Sequence, residues 1–376
     1  MTEPSAARLR HEQNFGTSNP NSARRRGAGS RELARGADER PRVMNADRVG
    51  YILDTCMGKD PRAPEFRILD PKRDPAQNHA LLRARVIPEA LGSHVSSALE
   101  YLPSEELVDC INTALAVGSP LLITGEPGTG KTQAAFFTAL RLGLGAPLKL
   151  DVNSETTVHD LFYRFDRVAY FHDAQQGRQG GGKLSKDRYV TKGPLWEAFD
   201  RSRAGESSIV LLDEIDKAPR DFPNDLLNAL DQHSFTITEL DHREVRGDPR
   251  RPPLVVITSN SEKRLPEPLL RRCIYHYIPF DEQQVRAIVE HRCGGFPALD
   301  ANTRAAALAR FLELRALPLR KKPATGELLV WLTVLSARGG ASAQRLQSAP
   351  LDQLPALFCL LKDRDDLARV AGSGAI

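Results

Sequence analysis

Gly125 to Thr132 reads GEPGTGKT, which fits the phosphate-binding spacing G-x-x-x-x-G-K-[ST]. Glycines at Gly125, Gly128 and Gly130 let backbone N–H groups wrap an anion, with Glu126, Pro127 and Thr129 completing the loop. Lys131 would reach β- and γ-phosphates, and the Thr132 hydroxyl would hold Mg²⁺. A second set of groups follows at Asp213-Glu214. Asp213 is a candidate Mg²⁺ ligand acting through water, and Glu214 a candidate to polarise an attacking water; the same acids could instead cap the helix expected over Arg220–Gln232. Asn260 is a third candidate, to position water against a γ-phosphate, although a turn residue would look the same in sequence.

These groups need rigid carriers. Pro120 to Thr124 is a short apolar run suited to a buried strand, and Gln133 to Leu142 alternates small and apolar residues at helical spacing, so the loop sits in a strand–loop–helix. Pro147–Val152 reads as a second strand, and Ser208–Asp213 (SIVLLD) as a near-continuous apolar strand of a parallel sheet. Leu254–Thr258 is another buried strand, and it delivers Ser259 and Asn260 to the edge where ligands of open α/β sheets bind. Ile274–Phe280 supplies a fifth. Ser104–Val117 has a serine cap and acids in its first turn, the pattern of a helix entering the first strand.

Two stretches interrupt this alternation. Thr156–Pro194 begins with a helix expected over VHDLFYRFDRVAYFHDAQ, crosses a glycine-rich loop at 177–183 and re-enters at Arg188–Pro194; flexibility of this kind inside a compact domain marks a functional insertion. Leu195–Arg203 is helical. Phe235–Leu240 and Glu244–Arg246 flank a polar turn and read as a hairpin. After Asp281 strands stop, and helices are expected at 282–293, 302–314, 325–337 and 351–361, which implies a parallel-sheet domain followed by a helical one.

The chain has 376 residues, 41% apolar and 27% charged, enough for two folded domains and a tail. No apolar run approaches the ~20 residues of a membrane span and no apolar signal region opens the chain, so a cytoplasmic protein is expected. Five scattered cysteines lack metal-ligand spacing, which points to reduced thiols. Residues 1–42 carry nine arginines against five acids and almost no large apolar side chains, so a disordered basic tail is expected there, or an upstream start with Met44 the true first residue. With the tail set aside, the folded part shows no basic stripe with interleaved aromatics, which disfavours nucleic acid as partner. Residues 43–95 suggest no chemistry.

The motifs together resemble the AAA+ ATPases, and within them the MoxR-like group: GEPGTGKT, IVLLDEIDKAP (Ile209–Pro219), VVITSN (Val255–Asn260) and LPEPLLRRC (Leu265–Cys273) follow one another in order over about residues 100–340. The resemblance implies ATP and Mg²⁺ as ligands and a five-stranded parallel sheet in the order 5-1-4-3-2, spanning about residues 96–280. A helical lid would occupy 281–376. It matches Arg272 to the arginine finger, with Arg271 in place of the usual Asp. It also reads 156–194 as the helix-2 insert and 235–246 as the pre-sensor-1 insert, both facing substrate. It implies a hexameric ring acting on a protein client or an operon-encoded partner; a slow nucleotide-gated switch and a motor subunit similar to McrB are the rivals. A further position departs from the family: Pro323 is followed by Ala324 where the sensor-2 arginine is usual, and Lys321 or Lys322 are the neighbouring charges that could substitute.

Overall fold

The computed structural model describes residue 69 and residues 71–84, 94–177 and 185–373. The tail at 1–42, Met44, most of the 43–95 stretch and most of the 177–183 loop lie outside the described residues. Within them, α1 covers Pro75–Ala84 and α2 His94–Leu99. Helix α3, Glu105–Val117, starts where the Ser104 hydroxyl accepts a hydrogen bond from the Leu107 amide at 3.2 Å and stops at Gly118 in the left-handed region.

Five parallel strands follow: β1 Leu121–Gly125, β2 Leu148–Asp151, β5 Ile209–Asp213, β8 Leu254–Ser259 and β9 Ile274–Ile278. They are ordered β2-β5-β8-β1-β9, which is the expected 5-1-4-3-2 in core-strand numbering. Every residue of β1, β5 and β8 is buried, so their sequences are apolar on both faces, yet alternate side chains serve different layers. Leu122, Val210, Leu212, Val255 and Ile257 join one core with α7 (Pro194–Arg203) and α8 (Phe222–Gln232). Leu121, Ile123, Leu211 and Val256 join another with α3 and α4 (Lys131–Arg141).

The insertion is not the single helix expected over 158–175. α5, Val158–Phe162, ends as Tyr163 turns extended, and Tyr163–Phe165 becomes β3, paired antiparallel with β4, Val190–Lys192, before α6, Arg167–Gly177. Burial overrides the helical pattern here: Phe162 stacks on Phe235 with ring centroids 4.5 Å apart, and Tyr163 packs edge-on to Trp196. Phe235 lies in the hairpin β6 Ser234–Ile237 and β7 Arg243–Arg246. Both insertions therefore dock on one another, with the Tyr163 hydroxyl donating to Glu239 at 2.7 Å.

After the short helix α9, Glu267–Arg272, and β9, the chain is helical: α10 Glu282–His291, α11 Ala301–Ala316, α12 Thr325–Arg338, α13 Ala343–Ser348 and α14 Arg364–Ser373. They enclose their own core around Phe311 and Trp331, whose indole donates to the Pro355 carbonyl at 2.7 Å. The helix expected at 351–361 is instead two short 3-10 turns, Leu351–Gln353 and Leu357–Cys359. Pro355 has no N–H to donate to a helical ladder, and Ala356 takes φ 57°, so no helix can run through.

Phe235 is the common anchor of the insertions, touching Phe162, Trp196 and Phe199. Phe235→Ala should cost about 3–5 kcal/mol, the range for emptying a buried aromatic site. Urea unfolding should record that loss, and limited proteolysis should cut first within 156–194.

Candidate functional site

The phosphate loop lies where β1 ends, and its shape depends on close approach. Gly130 takes φ 93°, and a Cβ there would sit 2.8 Å from the Tyr101 ring; Gly128 takes φ 75°, and a Cβ there would sit 2.9 Å from the Cβ of Ala324. The loop is thus gripped between Tyr101 and the start of α12. Lys131 is buried, and its ammonium donates to the carbonyls of Gly125 and Glu126 at 2.9 and 2.8 Å. Burial lowers the Lys131 pKa, and the fields of Asp216, Asp213, Glu214 and Glu126 oppose this only in part.

Asp213, at the end of β5, gathers the neighbouring strands. Its Oδ1 accepts from the hydroxyls of Thr132 at 2.8 Å and Thr258 at 2.7 Å, and its Oδ2 pairs with the Lys149 ammonium at 3.0 Å. Burial alone would raise the Asp213 pKa. The bonds from Thr258, Lys149 and Thr132 outweigh it and hold the carboxyl below the usual range. Glu214 takes φ 63°, ψ 51°, a conformation that costs a non-glycine residue about 1–2 kcal/mol. The Thr258 hydroxyl, accepting from the Glu214 amide at 2.9 Å, holds it there. The Glu214 carboxylate accepts from the Asn260 side-chain amide at 3.1 Å on one oxygen and from Lys217 on the other. Asn260 is in turn fixed by its own amide, which donates to Asp216 at 3.3 Å.

Pro127–Thr132, Asp213, Glu214, Thr258 and Asn260 face one cleft of about 500 Å³, walled on the far side by Tyr101, Leu102, Ile288, Arg292, Thr325 and Leu329. The structure therefore brings Gly125–Thr132, Asp213, Glu214 and Asn260 together at the carboxyl edge of the sheet. It does not bring Arg272 there. Arg272 ends α9 beside Asp231, its guanidinium 3.1 Å from that carboxylate, in a recess with Ser119, Pro120 and Pro253, which precede β1 and β8. It lies one strand length, about 16 Å for five residues, from its own phosphate loop. Lys321 and Lys322 are exposed and outside the cleft lining, and the Lys321 amide is tied to Asp366 at 2.9 Å. Neither substitutes for a sensor-2 arginine in this arrangement, because the segment before α12 is held against α14.

Sequence reasoning did not single out Lys149, Thr258, Tyr101 or Arg292. A lysine inside the strand LKLD was a usable signal for Lys149. Thr258 could have been read from the alternation of β8, which puts it on the side of Leu254 and Val256, facing α4. Tyr101 and Arg292 had none, because only the fold brings their segments to the loop.

This arrangement is the AAA+ P-loop NTPase fold: a five-stranded parallel sheet, the phosphate loop after β1, acids at the end of β5 and helices after the core. Residues 120–273 match the family model of the AAA domain, dynein-related subfamily. A crystal structure of NtrX from Brucella abortus in complex with ADP aligns over 80% of this chain and 68% of that chain, at 16% identity and a TM-score of 0.40. No curated protein matches the chain. Among the described residues no helix is long and apolar enough to cross a membrane.

Lys149→Met tests the Asp213 cluster. Because the Asp213 pKa is depressed in the fold, the stability it contributes is present above the ordinary carboxylate value of about 4 and is lost as pH falls through the lower folded value. Removing Lys149 raises that folded value, so acid unfolding should begin at higher pH than in the wild type. The loss at pH 7 should be about 1–3 kcal/mol. An unchanged acid midpoint would show that Lys149 does not hold Asp213.

Proposed function

We propose that the chain is a Mg²⁺-dependent, ATP-hydrolysing remodeller of the MoxR type. In this reading it works in the cytoplasm as a homo-oligomeric, hexameric ring on a protein client or operon-encoded partner. One observation carries the hydrolytic part: a phosphate loop, two acids and an asparagine amide converge on a single cleft, with Glu214 joined to Asn260 at 3.1 Å.

The chain's own groups divide the work. The loop amides and Lys131 bind phosphate, Lys131 exchanging the Gly125 and Glu126 carbonyls for phosphate oxygens. Asn260 orients the Glu214 carboxylate, which accepts a proton from the attacking water once Lys217 releases it. Thr132 Oγ1 and Asp213 Oδ1, 2.8 Å apart, are two hard oxygens of which one is anionic. That is the share a protein gives a Mg²⁺ site when phosphates and water supply the rest, so these residues fit the ion. When bound, Mg²⁺ neutralises charge on the β- and γ-phosphates.

Lys131→Ala should abolish nucleotide binding in a fluorescent-nucleotide titration. Glu214→Gln should bind ATP as the wild type does and hydrolyse almost none, since an amide cannot take the proton. Loss of ATP binding in Glu214→Gln would overturn this division of roles.

The ring rests on Arg272. A guanidinium is always charged and its planar donors suit the developing γ-phosphate charge, but this one faces away from its own loop and so would serve a neighbour's. Arg272→Ala should keep ATP binding and cut turnover about 10³-fold. Mixed with Lys131→Ala protein, it should regain activity at interfaces that pair an intact loop with an intact arginine. Co-assembled mixtures without any recovery would rule out a shared site.

A further inference from the structure

Glu126 occupies a variable position of the phosphate loop, yet the loop and the helical part of the molecule meet on it. Its backbone carbonyl accepts from the Lys131 ammonium and from the Thr129 hydroxyl, each at 2.8 Å. Its carboxylate accepts from the Arg315 guanidinium at 2.8 Å. Arg315 comes from the end of α11, in the helical part, and its side chain is only 8% exposed. The same guanidinium donates to the Pro323 carbonyl, just before α12, and lies over the Phe280 ring at 3.5 Å from its centroid, where the last strand gives way to the first lid helix. One buried arginine therefore joins the phosphate loop, the hinge and the lid.

At the start of α12, Ala324 and Gly326 lie against Gly128 without charge, and the Glu327 carboxylate beside them is anionic. A cationic side chain at the start of α12 is thus unavailable to report on phosphate, and the charged link between lid and loop runs through Arg315 instead.

We propose that the Arg315–Glu126 pair is the contact through which nucleotide occupancy reaches the lid, with Glu126 as the relay residue. This rests on the nucleotide-binding reading of the cleft. Phosphate draws Lys131 away from the Glu126 carbonyl, the loop resettles around the phosphate, and the Glu126 carboxylate moves with its backbone. Arg315 is held to that carboxylate and to Pro323, so the segment 315–326 follows. Arg315 and Glu126 are positioning residues in this scheme, since neither contacts the reacting atoms.

Hydrogen exchange on the intact chain, with and without ADP, tests the relay. Glu126→Gln is the variant of choice, because it keeps the size of a 40%-exposed side chain and leaves Arg315 its contacts with Pro323 and Phe280. In the wild type, ADP should slow exchange both in the loop at 125–132 and in the lid at 315–326. In Glu126→Gln, ADP should still slow the loop, while the slowing at 315–326 is lost. Arg315→Lys, which keeps charge without the planar fork, should show the same loss if it folds. Lid slowing by ADP that survives Glu126→Gln overturns the relay. So does faster lid exchange in Glu126→Gln without nucleotide, which would make the pair a static anchor. Absence of any loop slowing in the wild type is a different result, and overturns the nucleotide-binding reading itself.

Discussion

The carboxylate of Asp213 is the point on which the site depends. It ends strand β5, which lies between β2 and β8, and accepts hydrogen bonds from the hydroxyls of Thr132 on α4 and Thr258 on β8, while pairing with Lys149 on β2. Three neighbouring strands and the helix after the phosphate loop are thus fastened at their functional edge by one buried anion. Removing a partner from a buried charge costs more than removing a neutral bond, so this hub also fixes the register of the site. Thr258 serves twice, since it holds Glu214 in its strained backbone conformation while donating to Asp213. Both acids of the pair are therefore set by the same hydroxyl.

Lys131 faces Asp213, Asp216, Glu214 and Glu126, and its burial is tolerated because those acids and two loop carbonyls surround it. The helical part is tied to the sheet part by two arginines, Arg292, which lines the cleft, and the buried Arg315. Arg292 donates to the carbonyl and hydroxyl of Ser97 on α2, at 3.1 and 3.0 Å, and Arg315 reaches the phosphate loop.

Arg272 illustrates how edges of the sheet acquire different roles. The carboxyl ends of the strands carry the phosphate loop and its acids, whereas Arg272 stands with the segments that precede β1 and β8. In a single chain these groups do not meet. The docked insertions occupy the sheet face on the α7 and α8 side, where Phe162, Phe235 and Trp196 share one core with the strands.

By itself the sequence determined the strand–loop–helix of the phosphate loop, the acid pair after an apolar run, Asn260 at the same edge and the switch from alternating elements to helices alone. Each of these is local, because glycine spacing, an apolar run and a charged end are read within a few residues. The tertiary structure decided what depends on contacts between distant segments. It turned the middle of the insertion into a strand, because Tyr163 gains more from packing on Trp196 and bonding Glu239 than from continuing a helix. It broke 351–361 into turns around Pro355, left Lys321 and Lys322 in solvent, and brought Tyr101, Lys149, Arg292 and Arg315 to the site from segments with no motif. Side chains that act on a site from another element leave no spacing in the chain, since what unites them is burial and charge satisfaction in three dimensions, and only the fold sets those.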